Sequence, residues 1–172
     1  MYVPVLQEPR PLERRDDRSR FQSGNSEIDD WFHRFAWQNH RAGNARVFVT
    51  TQEPETLGFY ALSMGAVQRS TLPDALKPSQ RPEPCPILLL ARLAVDQRAQ
   101  GRGIGAALLK DALLRAYKLS SEVGFAALLV HCANDQAREF YLNQSSQFVP
   151  CPGAENHLML PLRAMREFID AL

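Results

Sequence analysis

Residues 87–130 place the tightest constraint on the fold. The run ILLLARLAV at 87–95 is almost wholly apolar and reads as a central strand covered on both faces. Beyond the glycine-rich stretch RAQGRGIGA at 98–106, the segment 103–120 carries Ile104, Leu108, Leu109, Ala112, Leu113 and Ala116 on one broad helical stripe. FAALLV at 125–130 is a further buried strand. A strand, a tight glycine turn, a long amphipathic helix and a second strand commit the chain to an α/β class.

The flanking segments extend this unit. In FQSGNSEIDDWFHRFAWQNHRAG, Ile28, Trp31, Phe32 and Phe35 recur at helical spacing, which predicts one helix over 26–41. Its start has a capping-box pattern at Ser26 and Asp29, and Gly43 stops it. ARVFVTT at 45–51 and LGFYALSMGAV at 57–67 predict a β-hairpin through the EPET turn. Residues 68–86 hold five prolines and read as a loop with one helical turn. Asn134 caps a short helix over 135–142, VPCPG is a turn, HLMLPL a last strand, and AMREFIDAL a terminal helix. The predicted architecture is a single α/β domain over 1–172 with a mixed central sheet flanked by helices.

A chain of 172 residues suffices for one domain with a real core. A net charge of +1 gives no global push toward nucleic acid, so any basic surface is local. The first residues lack an apolar signal segment and no run is long enough to span a bilayer, so the reading is a cytoplasmic protein without membrane attachment. Cys85, Cys132 and Cys151 show no CxxC or paired His/Cys spacing, so no metal is expected and each reads as a buried thiol. His33, His40, His131 and His157 read as structural or surface residues.

The glycines at 101, 103 and 105 carry the chemistry. No Gly-Lys-Ser/Thr follows them, which excludes a P-loop. The spacing satisfies G-x-G-x-x-A, yet five residues separate the strand from the first glycine and no acid ends the next strand, so a dinucleotide fingerprint does not fit. What survives is physical. Glycine backbone approaches a ligand closely, and a helix N-terminus offers free N–H groups and a positive dipole end to a pyrophosphate. Arg98 and Arg102 add charge.

The segment Arg98-Ala99-Gln100-Gly101-Arg102-Gly103 resembles the R/Q-x-x-G-x-G/A signature of the GNAT superfamily of acetyl-CoA-dependent N-acetyltransferases. The resemblance implies a GNAT fold in which Arg98, Gly101, Arg102, Gly103, Ile104, Gly105 and Ala106 hold the coenzyme A pyrophosphate. By the same resemblance Leu93, Ala94 and Val95 line the thioester arm, Asn134 contacts the pantetheine, and Tyr141 in AREFY is the general acid for the leaving thiolate. Phe140 is core. No general base is identified.

Blocks across 21–162 resemble, in order, the GNAT toxins of toxin–antitoxin pairs. That likeness implies a homodimer that acetylates the α-amino group of aminoacyl-tRNA and is neutralised by a ribbon-helix-helix antitoxin. Arg34, Arg41, Arg46, Arg69, Lys77 and Arg92 are then the candidates for tRNA phosphate contacts, with the N-terminal arginines beside them. Arg92 interrupts an apolar strand, and either reaches the active-site groove or pairs inside the fold. One departure stands out. In the family pattern three residues and then Gly-Phe follow the tyrosine, whereas here Tyr141 is followed by LNQSSQ and Phe148, without the glycine and two residues longer. That keeps open a GNAT enzyme for a small amine or a protein amino group, and an inactive interaction module.

Overall fold

The computed structural model describes residues 1–77 and 81–171. Seven strands form a mixed sheet: β1 (Arg10–Pro11), β2 (Arg46–Gln52), β3 (Glu55–Val67), β4 (Cys85–Val95), β5 (Ala127–His131), β6 (Val149–Cys151) and β7 (Ala154–Pro161), in the order β1-β2-β3-β4-β5-β7-β6. The helices are α1 (Ser26–Arg34), α2 (Ala36–Ala42), α3 (Ile104–Leu119), α4 (Asp135–Gln144) and α5 (Leu162–Asp170). The expected α/β class and mixed sheet are present. Among the described residues no helix is long and apolar enough to cross a membrane. The chain divides into two compact units, Met1–Ser63 with Arg92–Ala112 and Met64–Ala91 with Leu113–Leu172.

In the first unit the expected hairpin forms, with β2 antiparallel to β3 from the Arg46–Leu62 pair to the Gln52–Glu55 pair. β1 adds to its edge through Arg10–Val49 and Pro11–Phe48. A two-residue strand containing proline leaves little periodicity to read, and proline is confined to such edges. Phe59 of β3 gathers an aromatic core: its ring centroid lies 4.1 Å from Phe32, 5.4 Å from Phe21 and 6.1 Å from Trp31. Gly58 lets β3 come close to α3, because a Cβ there would stand 2.8 Å from Leu108 Cδ1.

The helix expected over 26–41 is two helices. Phe35, at φ −120°, breaks it between Arg34 and Ala36. The start also differs. Asn25, not Ser26, is the N-cap and accepts from the N–H groups of Glu27 and Ile28 at 3.1 Å each. Asp29 pairs instead with Ser23, accepting from its N–H and its hydroxyl. Gly43 stops α2 in the left-handed region, as expected. Both histidines of this segment are structural: His33 Nε2 lies 2.6 Å from the Phe21 carbonyl, and His40 Nδ1 accepts the Val47 N–H at 3.0 Å.

In the second unit β4 runs parallel to β5 through Leu88–Leu128, Leu89–Leu129 and Leu90–Val130. β5 is antiparallel to β7, and β7 to β6. The segment VPCPG, expected as a turn, contributes β6, because three residues at a sheet edge with a bulge at Pro150/Cys151 suffice for pairing. The described residues of the proline-rich loop hold two 3-10 turns, Arg69–Thr71 and Asp74–Leu76, where one helical turn was expected; 78–80 lie outside the described residues. Leu72 and Leu76 seal it onto Ile87, Leu129 and Met159. The three cysteines are free and buried. Burial raises the thiol pKa of each, that of Cys151 to about 11, so all three are protonated at neutral pH.

Candidate active site

The first unit builds a glycine cradle, and the residues that shape it begin with a carboxylate. Asp96, 1% exposed, ends β4 and N-caps a 3-10 turn over Gln97–Ala99. Its oxygens accept from the Arg98 N–H and Nε at 2.8 Å, from Arg98 Nη2 at 3.0 Å and from the Gln22 N–H at 3.0 Å. Burial alone would raise this carboxyl, but those hydrogen bonds together hold it below the usual carboxylate range. Arg98 also reaches Glu55 Oε2 at 2.9 Å. Gln100 Nε2 bridges the carbonyls of Ser23 and Val95 at 3.0 and 3.1 Å. The turn is thus fixed on both sides before the glycines begin.

Because Asp96 is buried beneath four donors, Asp96→Ala is expected to destabilise the fold by about 2–3 kcal/mol, a range discounted for the half-exposed Arg98. A urea unfolding midpoint measures it. The folded pKa lies below the unfolded one, so this stability is present above about pH 4 and is lost as pH falls through the folded value. Asp96→Asn should therefore flatten the acid limb of the stability curve.

Gly101 and Gly103 both lie in the left-handed region, at φ +83° and +78°. A Cβ on either would meet nothing within 4 Å, so these positions demand glycine for backbone conformation and face open space. Immediately after, α3 starts at Ile104, which is buried. The Ala107 N–H returns to the Gly103 carbonyl at 3.1 Å, and the N–H groups of Ile104, Gly105 and Ala106 precede that first closed turn. Alternating left-handed glycines at a helix start form an anion nest, and the donor set suits a pyrophosphate.

The arginines divide the work. Arg98, expected on the pyrophosphate, has its guanidinium on Asp96 and Glu55, whose hydrogen bonds push its pKa up, so it holds the turn. Arg102 is exposed, with Nη2 bonded only weakly to the Arg98 carbonyl at 3.3 Å, and keeps donors for an anion. Leu93 and Val95 are half-buried while Ala94 belongs to the core, the alternation of a strand with one face packed. Asp96, Gln100 and Glu55 were not singled out from sequence. The signal available was an aspartate two residues before an arginine at a strand end, a turn-capping pattern.

In the second unit Asn134 caps α4, accepting the Ala137 N–H at 2.8 Å through Oδ1. That leaves its Nδ2 amide as donor. Tyr141 on the same helix is 3% exposed, with its ring 5.6 Å from Phe148 and 5.2 Å from Phe140. Burial, with Cys132 nearby, raises the phenol pKa, so the group is a firmly protonated donor. The unusual segment after it is accounted for. Leu142–Gln144 prolong α4, Ser145 turns the chain, and its Oγ accepts the Gln147 N–H at 3.0 Å. The turn delivers Phe148, 2% exposed, against Tyr141. The same unit contains an apolar cavity of about 380 Å³ whose lining includes Ile87, Leu89, Leu129 and Met159, with the His131 and His157 rings stacked 4.2 Å apart.

The basic candidates are dispersed. Arg34 pairs with Asp30 at 3.4 Å, Arg46 donates to the His40 carbonyl at 2.9 Å, and Arg41 is exposed. Arg69 is exposed and Lys77 lies 3.7 Å from Asp74. Of the N-terminal arginines, Arg10 forks onto Asp16, which makes it structural, and Arg15 pairs with Glu13 at the surface. Among the described residues Arg92 does not pair with a carboxylate. It lies over the Trp31 ring, 4.2 Å from the centroid.

Comparison with known proteins gives the family of the chain. The family profile of the acetyltransferase (GNAT) domain matches residues 43–144. The chain is 38% identical over 161 residues to the tRNA-acetylating toxin of Mycobacterium tuberculosis, covering 94% of this chain and 95% of that protein. AtaT complexed with acetyl-methionyl-tRNAfMet superposes with a TM-score of 0.84 at 28% identity, over 95% of this chain and 98% of that one. A mutant AtaT toxin bound to the C-terminus of the antitoxin AtaR and acetyl-CoA gives 0.79 at 25% identity, over 96% and 99%.

Proposed function

Because this chain belongs to the GNAT acetyltransferase family, we propose that it transfers acetyl from acetyl-CoA to the α-amino group of aminoacyl-tRNA, and so arrests translation as the toxin of a toxin–antitoxin pair. The observation that carries this reading is the 38% identity, over nearly the whole chain, to a tRNA-acetylating toxin. A blocked amine cannot form a peptide bond. The paired antitoxin is of the ribbon-helix-helix class, and the enzyme works in the cytoplasm as a homodimer.

Acetyl-CoA supplies the activated acetyl thioester. The N–H groups of Gly101 to Ala106, with Arg102, bind its pyrophosphate. Backbone of Leu93, Ala94 and Val95 orients the pantetheine, aided by the Asn134 amide, and an N–H there stabilises charge developing on the thioester oxygen. The ammonium of an aminoacyl ester is unusually acidic, so the attacking amine is neutral without a protein base. Tyr141 holds a proton and gives it to the departing sulfur. Arg34, Arg41, Arg46, Arg69, Lys77 and Arg92 supply phosphate contacts.

Induced expression in a bacterial host tests the biological side. The expected result is arrested growth with a fall in incorporation of labelled amino acid, both absent for Tyr141→Phe. Unimpeded growth of cells making soluble wild-type protein would count against the toxin role and favour a small-amine or protein acceptor.

A further inference from the structure

The cation inside β4 has a chemistry that its surroundings do not satisfy. Arg92 sits half-buried in the sequence LLLARLAV. A guanidinium presents five N–H donors. Yet among the described residues Arg92 forms no hydrogen bond and no ion pair. Other arginines behave differently: Arg98 and Arg10 fork onto aspartates, Arg34 pairs with Asp30, and Arg46 donates to a carbonyl. Burial lowers the Arg92 pKa, with Glu27 partly offsetting it.

What Arg92 has is a platform. Its guanidinium lies over the Trp31 indole, 4.2 Å from the ring centroid. Trp31 is itself packed on the first unit's core and stacks on Phe59 at 6.1 Å, 16° from parallel. The guanidinium is therefore held over the ring before any ligand arrives, and its N–H groups remain for a bidentate acceptor. Phosphate and carboxylate each offer two oxygens spaced for that contact. Half-buried and without a carboxylate, the guanidinium keeps its N–H groups open to an anion from outside the chain.

Position decides between acceptors. Arg92 immediately precedes Leu93, Ala94 and Val95, the segment assigned above to the thioester arm, and strand residues rise about 3.3 Å each. An anion held at Arg92 belongs to the end of the substrate that reacts. The aminoacyl ester carries no negative charge. In an aminoacyl-tRNA, the charge nearest the reacting amine is the phosphodiester joining the last two nucleotides of the CCA end.

We infer that Arg92, held over the Trp31 ring, docks the 3′-terminal phosphodiester of the aminoacyl-tRNA and so positions its amine. This rests on the aminoacyl-tRNA reading above. Arg92 is a positioning residue in this account, and Trp31 supports it.

The test compares wild type with Arg92→Met, which keeps the stem on Trp31 and removes the charge, and with Arg92→Gln should the first not fold. Two substrates are used: an aminoacyl-tRNA, and the methyl ester of the same amino acid, which has no phosphate. The expected result is a rise of about tenfold to a hundredfold in KM for the tRNA substrate, with kcat/KM for the ester within twofold. Binding of deacylated, CCA-ended tRNA, titrated across salt concentrations, should lose about 0.7 from the slope of log K against log salt, the share of one single-stranded phosphate. Arg92→Lys should recover part of the affinity. An unchanged salt slope, or equal losses on both substrates, overturns the role of Arg92. Wild-type protein that acetylates the ester but no aminoacyl-tRNA overturns the acceptor reading itself. Tighter binding of an acidic peptide than of tRNA, lost in Arg92→Met, would assign the site to a protein carboxylate instead.

Discussion

Tyr141→Phe is expected to lower kcat for acetyl transfer by about 10²- to 10⁴-fold while leaving the fold and acetyl-CoA affinity close to wild type. The substitution removes one hydroxyl and keeps the ring that packs on Phe140 and Phe148. Stopped assays at saturating acetyl-CoA give kcat, and calorimetry gives the affinity. The pH dependence sharpens the expectation. The folded pKa of Tyr141 lies above its unfolded value of about 10, so the folded state keeps the proton more tightly, and the effect is lost only as pH rises through the folded value. From pH 7 to 9 the phenol remains a donor. A downturn of kcat within that window that disappears in Tyr141→Phe would show that the proton had left, and would remove Tyr141 from the acid role.

Gly103→Val has the second large effect, on the donor side. Valine is β-branched and at φ +78° it is a conformational outlier, with a cost on the order of 1–3 kcal/mol if the loop keeps its shape. If the loop relaxes instead, the N–H groups of the nest turn away from the anion. Either way acetyl-CoA binding should weaken about a hundredfold, near 2.7 kcal/mol. The open space around the glycine separates conformation from crowding. Asparagine tolerates the left-handed region, so affinity should fall in the order Gly, Asn, Ala, Val. A series ranked by side-chain volume alone would point to steric exclusion. Gly124→Ala, whose Cβ also meets nothing and whose φ is ordinary, is the neutral control.

Much of this molecule is legible in its sequence where local pattern and burial agree. The stripe of Ile104, Leu108, Leu109, Ala112, Leu113 and Ala116 is buried throughout, and the apolar strands around it stand where periodicity places them. Gly43 and Asn134 terminate and cap helices by purely local chemistry. The short edge strands were not legible: Arg10–Pro11 takes its structure from a partner distant in sequence, and Val149–Cys151 is three residues with a proline at a bulge, too short to show a period. The break at Phe35 was hidden, since Phe32, Phe35 and Ala36 keep helical spacing through it. The glycine cradle was visible, but its scaffold was not. Asp96 reads as an ordinary strand-end acid until Gln22 and Arg98 are seen to donate to it. Arg98 looked like a ligand for phosphate, and its guanidinium pairs with Asp96 and Glu55, which local pattern does not reveal. Arg92 had two sequence readings, and the Trp31 ring that decides how it is held lies on another element.

The central claim concerns what accepts the acetyl group. Purified protein incubated with labelled acetyl-CoA and total aminoacyl-tRNA tests it directly, with mild alkaline hydrolysis to release the aminoacyl group for mass spectrometry. The account predicts label in the tRNA fraction, released as N-acetyl-amino acid, and none with Tyr141→Phe. Label confined to protein or to small amines, with every released amino acid unmodified, would contradict it.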